Sequence, residues 1–482
     1  MDDAPKVPEG AALAAAAGAP EAARYEQDLS RSIGILGNVF ITLSGVTPAA
    51  SVFIIAPVAL VAVGSGSFLS YVFAAIVGVF MAFCWAELSA AYPIAAGDYA
   101  LVWHSFKGRT SWLAGPVSFV TFALYVDFIA FIPAVIALGT GTYLAVLWSV
   151  NLKVIGAVVM LVAAAIAILN IRLNAVITGI FLAIELAALA IVTVLGITHA
   201  KNWSSLVHPV IGTAHGTLAS VPFTAVLALT AVAVFSYNGY ANAVNYSEET
   251  TGSSRRIASA ILWALVITVA AELIPLTFTV VGAPSLAKLT TSAVPMQYFI
   301  EATSNKTVYT IVSLGIVIAI LNAVIAIILS YGRIFFSSGR DRAWPGPVNS
   351  WMSLRSRFRS PWFATAVVGV LGAILCLTVP LDTLVNLTGA SLVADYALIA
   401  IAALFARPTG ATAHSPYKMP LWPLPPIVAL VSLGYIFTKQ TSLLLWVTLI
   451  TIGIGLLYWL VVIFPQRGRA WNLREAAIDE DR

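Results

Sequence analysis

Charge is what this sequence has least of. Lys, Arg, Asp and Glu make up 10% of the 482 residues and apolar side chains 60%, whereas a soluble domain carries about 25% charged and about 45 to 50% apolar residues. That balance excludes a water-soluble globule. Cysteine is scarcer still: Cys84 and Cys376 both lie inside apolar runs, which excludes a disulfide framework as the organising element. The five histidines, His104, His199, His208, His215 and His414, fall in predicted loops, so a histidine relay within the membrane is excluded. No H-E-x-x-H or comparable catalytic cluster occurs, so the chain reads as a non-enzyme without metal or cofactor. The net charge of +4 forms no basic stripe, which argues against nucleic acid. The start, MDDAPKVPEG, lacks the positive n-region of a signal peptide. Residues 1–30 read instead as a disordered cytoplasmic tail.

What is present is a series of long apolar runs bounded by Gly, Pro or charge. A helix needs about 20 apolar residues to cross the hydrocarbon core of a bilayer. The runs predict spans at 34–62, 67–92, 112–147, 152–171 and 174–197, then 221–248, 257–282, 307–336, 362–380 and 383–406, and a final pair at 421–438 and 442–464. The expected organisation is thus 34–197, 221–406 and 421–464, with a cytoplasmic tail at 465–482. If twelve spans alternate, 20 of the 25 basic residues fall on the side of the termini and five on the other. The positive-inside rule then puts both termini in the cytoplasm of a multi-pass inner-membrane protein.

Two spans carry weak points. In the first, Gly45, Thr47 and Pro48 interrupt the apolar run, and proline removes a backbone donor and clashes with the preceding turn. In the sixth, Asn238 and Gly239 do the same, 194 residues after Gly45. Paired breaks in corresponding spans are the sequence mark of an inverted repeat, and irregular backbone at membrane depth lines a cavity. Tyr237 and Tyr240 flank the second break. Asn238, Asn242 and Asn245 share one face if that half is α-helical, facing either the cavity or an interhelical ladder.

Six acidic residues fall within the spans: Glu87, Asp127, Glu185, Glu272, Asp382 and Asp395. An ionised group at the centre of a membrane helix costs about 2.5 to 3.5 kcal/mol or more, so each needs a role or a partner. Glu87 and Asp382 lie near span ends. Glu185, far from either end of its span, is the first candidate for proton coupling, against a structural hydrogen bond. Asp127 is a candidate for a substrate amine, against a helix-packing role, with Asp395 and Glu272 ranked behind.

GVTPAASVF, CWAELSAAYPIAAGDYALVWHSF, FSYNGYANAVNYSEET, SYGRIFFSSGRDRAWP and the stretch Tyr417 to Pro420 occur in an order that resembles the amino acid-polyamine-organocation family of secondary transporters. The chain looks closest to its bacterial amino acid permeases and putrescine-importer-like members. The resemblance covers nearly the whole chain. It implies an all-α fold of twelve transmembrane helices, with five plus five in a leucine-transporter-type inverted repeat and two added at the C-terminus. Alternating access would carry a substrate held at the unwound backbones of spans one and six. Thr47, Pro48, Ala49, Ala50 and Ser51 would meet a substrate carboxylate. Phe235, Ser236, Tyr237, Asn238, Gly239 and Tyr240, with Asp127, would meet its amine, and Phe235 would gate the outer side. Span eight offers only Asn322 as a polar residue between Gly315 and Leu329, which favours protons over sodium as the coupling ion. The expected partners are an amino acid, protons and the lipid bilayer. The alternatives are a polyamine or small-amine permease or exchanger and a transporter-like nutrient sensor.

Overall fold

The computed structural model describes residues 29, 31–144, 150–169, 171–439, 442–471, 473 and 474. The predicted tail at 1–30 lies outside them except for Leu29, as do 475–482 of the predicted C-terminal tail. Helices dominate. Seven helical segments are long and apolar enough to cross a membrane, the first of them running from Ile35 to Ala91, and four shorter apolar helices accompany them.

In chain order, α1 (Ile35–Val46) and α2 (Ala56–Val63) form the first interrupted segment, followed by α3 (Ser67–Ala91) and a short α4 (Asp98–Ser105). Then come α5 (Ser111–Leu144), α6 (Leu152–Ala167) and α7 (Ile171–Thr198). A small antiparallel hairpin, β1 (Val210–Gly212) and β2 (Leu218–Ser220), precedes α8 (Phe223–Ser236). A 3-10 run, Tyr240–Glu249, leads to α9 (Ser253–Gly282), α10 (Leu286–Thr291), α11 (Pro295–Thr303) and α12 (Lys306–Arg340). The chain ends through α13 (Val348–Met352), α14 (Trp362–Thr378), α15 (Leu381–Ala406), α16 (Leu424–Thr438) and α17 (Ser442–Tyr458). The hairpin and the short α4, α10, α11 and α13 carry no long apolar run, which is why span-finding passes over them. His104 belongs to α4 and not to a loop, a correction to the sequence reading.

Burial is uneven in an informative way. The broken segments and α12 are enclosed, with Ala49, Val52, Ile328 and Leu329 at 0% exposure. Outer helices present Leu, Ile, Val and Trp outward, as Trp263, Val266, Leu457 and Val461 do. An apolar outer surface of this kind is stable against lipid tails and not against water. Around the enclosed segments, α9 packs on α3 and α7, α12 on α5, α7 and α1, and α15 on α5.

Candidate functional site

The first break forms as its residues dictate. α1 stops at Thr47, whose φ of 55° and ψ of 68° lie in the left-handed region. This is rare for a β-branched residue and costs on the order of 1 to 3 kcal/mol. Pro48 follows at a helix start, where its missing N–H does no harm. Ser51–Ile55 then continue as a π-turn, a widened helix that often marks functional positions. In the second break α8 ends at Ser236, and Gly239 takes φ of 112°, open to glycine alone without strain.

The two breaks meet. Ser51 donates through Oγ to the Ser236 carbonyl at 3.0 Å, and the nearest atoms to a side chain built on Gly239 belong to Val46, beginning at 3.3 Å. Between them is a cavity lined by Gly45, Val46, Thr47, Ser51, Phe235, Ser236, Asn238, Gly239 and Asn242, closed by Ile55, Ile132, Ile136, Ile327 and Tyr331. Its polar wall comes from the breaks and its apolar wall from isoleucines. None of these lining residues is charged.

Eight of the residues singled out in the sequence line this cavity: Gly45, Thr47, Ser51, Phe235, Ser236, Asn238, Gly239 and Asn242. Pro48, Ala49, Ala50, Tyr237 and Tyr240 are buried beside it but do not line it. Tyr240 donates to the Gly78 carbonyl at 3.3 Å, and the Tyr237 ring packs edge-on against Tyr71 with centroids 5.4 Å apart, so both rings turn toward α3. Asp127 is held away by Ser391 and Thr451, whose hydroxyls donate to its Oδ2 at 3.1 and 2.7 Å. The isoleucine wall was not legible, because an isoleucine facing a cavity and one facing lipid look alike in one sequence. The asparagine face presumed an α-helix. The segment is 3-10 with three residues per turn, so Asn242 and Asn245 align while Asn238 lies in the break and accepts from Tyr396 at 2.5 Å. Asn245 donates to Ser330 Oγ at 2.7 Å.

Glu185 reaches the first break from α7. It is fully buried, and its Oε1 accepts the Ala49 N–H at 2.7 Å. This amide belongs to the turn restarting after Thr47, where N–H groups lack intrahelical partners. Glu185 Oε2, Thr47 Oγ1 and both polar atoms of the Asn322 side chain are buried without hydrogen-bond partners. Glu272, on α9, approaches the second break and accepts from Ser236 Oγ at 2.6 Å.

The amino acid permease family model matches residues 33–466, which spans both breaks and all of these helices. The chain belongs to that family. It is a multi-pass membrane transporter and not an enzyme. It is 22% identical to a methylthioribose transporter of Bacillus subtilis over 77% of this chain and 80% of that one. It is also similar to a branched-chain amino acid permease of the same bacterium, at 19% identity over 91% and 93% of the two chains. An uncharacterized transporter of Mycobacterium tuberculosis is 27% identical over 78% and 80%.

At one end of this permease the acidic residues are paired with arginine. Glu249 pairs with Arg333, both buried, and Glu248 with Arg340 at 2.9 Å. Glu87 accepts from Arg407, Thr412 Oγ1 and the Met419 N–H, each within 2.9 Å. These contacts join the end of the second broken segment to α12, and α3 to the chain after α15. His104 lies in the same region, stacked on Tyr92 with centroids 4.4 Å apart, and burial pushes its pKa down to about 3. The Asp382 side chain lies outside the described residues.

Proposed function

We propose that this permease imports an amino acid with an uncharged, apolar side chain across the cytoplasmic membrane, by proton symport with alternating access. The single observation that carries the reading is the cavity between the two breaks, polar where the main chain is exposed and walled by Ile55, Ile132, Ile136 and Ile327. The cavity, about 20 Å³ as it stands, widens when the two breaks part, and a zwitterion's charged groups then suit its polar edge and its side chain the isoleucines. Twelve spans in a five-plus-five inverted repeat, with the arginine-rich end and both termini in the cytoplasm, complete the proposal. The matching positions of the breaks and the partition of Lys and Arg support it.

A dication would need carboxylates in the cavity wall, and none of the lining residues supplies one. Two of the relatives named above are described by branched-chain amino acids and methylthioribose, neither of them a polyamine. Asp127 stands outside the cavity lining and accepts from Ser391 and Thr451, which supports a substrate amine met by the main chain of the second break.

Glu185 is the proposed proton carrier. It holds the Ala49 amide from outside the broken segment, so a change in its charge changes a contact that the segment must break in order to move. Neutralising a buried carboxylate also removes the cost of carrying charge through the membrane interior. The test is uptake into proteoliposomes of a panel of amino acids and amines under imposed pH or sodium gradients. Accumulation of apolar amino acids driven by an inward proton gradient is expected. Uptake driven by sodium alone would overturn the coupling, and uptake confined to diamines would overturn the substrate class. Glu185→Gln should lose pH-driven accumulation and keep counterflow.

A further inference from the structure

Glu272 is a fully buried acid that the proposed transport cycle does not use. Its Oε2 accepts from Ser236 Oγ at 2.6 Å, and Ser236 Oγ accepts in turn from the Tyr71 hydroxyl at 3.0 Å. The Ser236 carbonyl accepts from Ser51 Oγ at 3.0 Å. Ser236 is the last residue of α8 and lines the cavity. It is therefore held from three directions: by α3 through Tyr71, by α9 through Glu272 and by the first break through Ser51.

We infer that Glu272 is a positioning residue for the substrate: through the Ser236 hydroxyl it fixes where α8 stops, and so where the second break presents its main chain to the cavity. This rests on the transport reading above. A serine near a helix end ordinarily turns its hydroxyl back to its own helix, one turn earlier. Here the hydroxyl crosses to α9, which leaves the end of α8 anchored to a neighbouring helix. The groups facing Glu272 are Tyr71 from α3, Tyr237 and Ser51 from the breaks and Glu185 from α7, with Ser236 supplying the hydroxyl. None of them is a cation. Glu272 Oε1 and the Tyr237 hydroxyl are both buried without a hydrogen-bond partner. Glu272 thus holds the break by accepting a hydrogen bond and not by neutralising an arginine.

The experiment compares Glu272→Ala, Glu272→Gln and Ser236→Ala in purified protein. Glutamine keeps an acceptor oxygen for Ser236 and alanine does not. In proteoliposomes, Glu272→Ala should raise KM for the transported amino acid about tenfold with little change in maximal rate, and Glu272→Gln should restore KM to within about twofold of the wild type. Ser236→Ala should match Glu272→Ala, and the double variant should be no worse than either, as expected of residues in one chain of contacts. In the substrate-free protein, amide hydrogen exchange at 237–240 should quicken about tenfold in Glu272→Ala and not in Glu272→Gln. Glutamine failing as badly as alanine, additive effects in the double variant, or unchanged exchange at the break would each overturn the inference. If Glu272→Ala does not fold, Ser236→Ala and Glu272→Gln carry the same comparison. A wild type that takes up no amino acid would sink the transport reading alone, since the exchange measurement needs no substrate.

Discussion

At the arginine-rich end, Glu87, Glu248 and Glu249 each meet a guanidinium. Half-way along the helices, Glu185 and Glu272 are as deeply buried, yet one accepts from a main-chain amide and the other from a serine. The difference separates what ties the molecule together from what can change during a cycle. A buried ion pair is costly to separate, because parting it strands a charge. A carboxyl bonded to one neutral donor can lose or regain that bond, or exchange a proton, at far smaller cost. The arginine-paired Glu87, Glu248 and Glu249 clasp helix ends, and Glu185 and Glu272 touch the two breaks.

The comparison predicts a graded series. Arg333→Met strands Glu249 and should cost about 3 to 5 kcal/mol, read as a lowered Tm in detergent, with most of the loss recovered in Arg333→Met/Glu249→Met. An unchanged Tm would break the distinction between the two regions. Next comes acidity. His104 is held at about 3 in the folded protein, while in the unfolded chain it takes up a proton near pH 6.5. The unfolded state therefore binds more protons between these values, and stability falls with falling pH by up to about 1.4 kcal/mol per pH unit. His104→Phe, which keeps the stack on Tyr92, should remove that part of the acid slope.

Gly239→Ala should cost about 1 to 3 kcal/mol, because alanine at this φ is strained. It should also weaken substrate binding, which is measurable as lost thermal protection by the transported amino acid. Arg407→Gln should cost less than Arg333→Met, because Arg407 is 27% exposed and water can partly take its place, although Glu87 is only 1% exposed. Glu185→Gln should move Tm least, because the amide oxygen still accepts from Ala49, while Glu249→Gln in parallel should be clearly destabilised. Equal losses in these two variants would show that charge matters as much at the breaks as at the clasps.

Both breaks were legible because they rest on local chemistry. Pro48 and Gly239 act on their own backbone, and no distant contact is needed to see that a helix falters there. Glu185 was legible for a similar reason: an acid deep within an apolar run is conspicuous in any fold. Glu272 was equally visible, but its importance was not. Its weight comes from Ser236 and Tyr71, residues 36 and 201 positions away that only packing brings to it. Asp127 was as visible, but its partners Ser391 and Thr451, from distant α15 and α17, were not.

The sequence alone settled that this chain is a many-helix membrane protein and where two of its helices give way, because hydropathy, proline and glycine act within a few residues of where they stand. Tertiary structure alone decided which side chains face the gap between those breaks, that the gap is walled by isoleucine, and which buried acids meet arginine. Those outcomes depend on contacts between residues far apart in the chain, 84 positions for Glu249 and Arg333 and 320 for Glu87 and Arg407, and such contacts are fixed by how helices pack and not by any one helix's own residues.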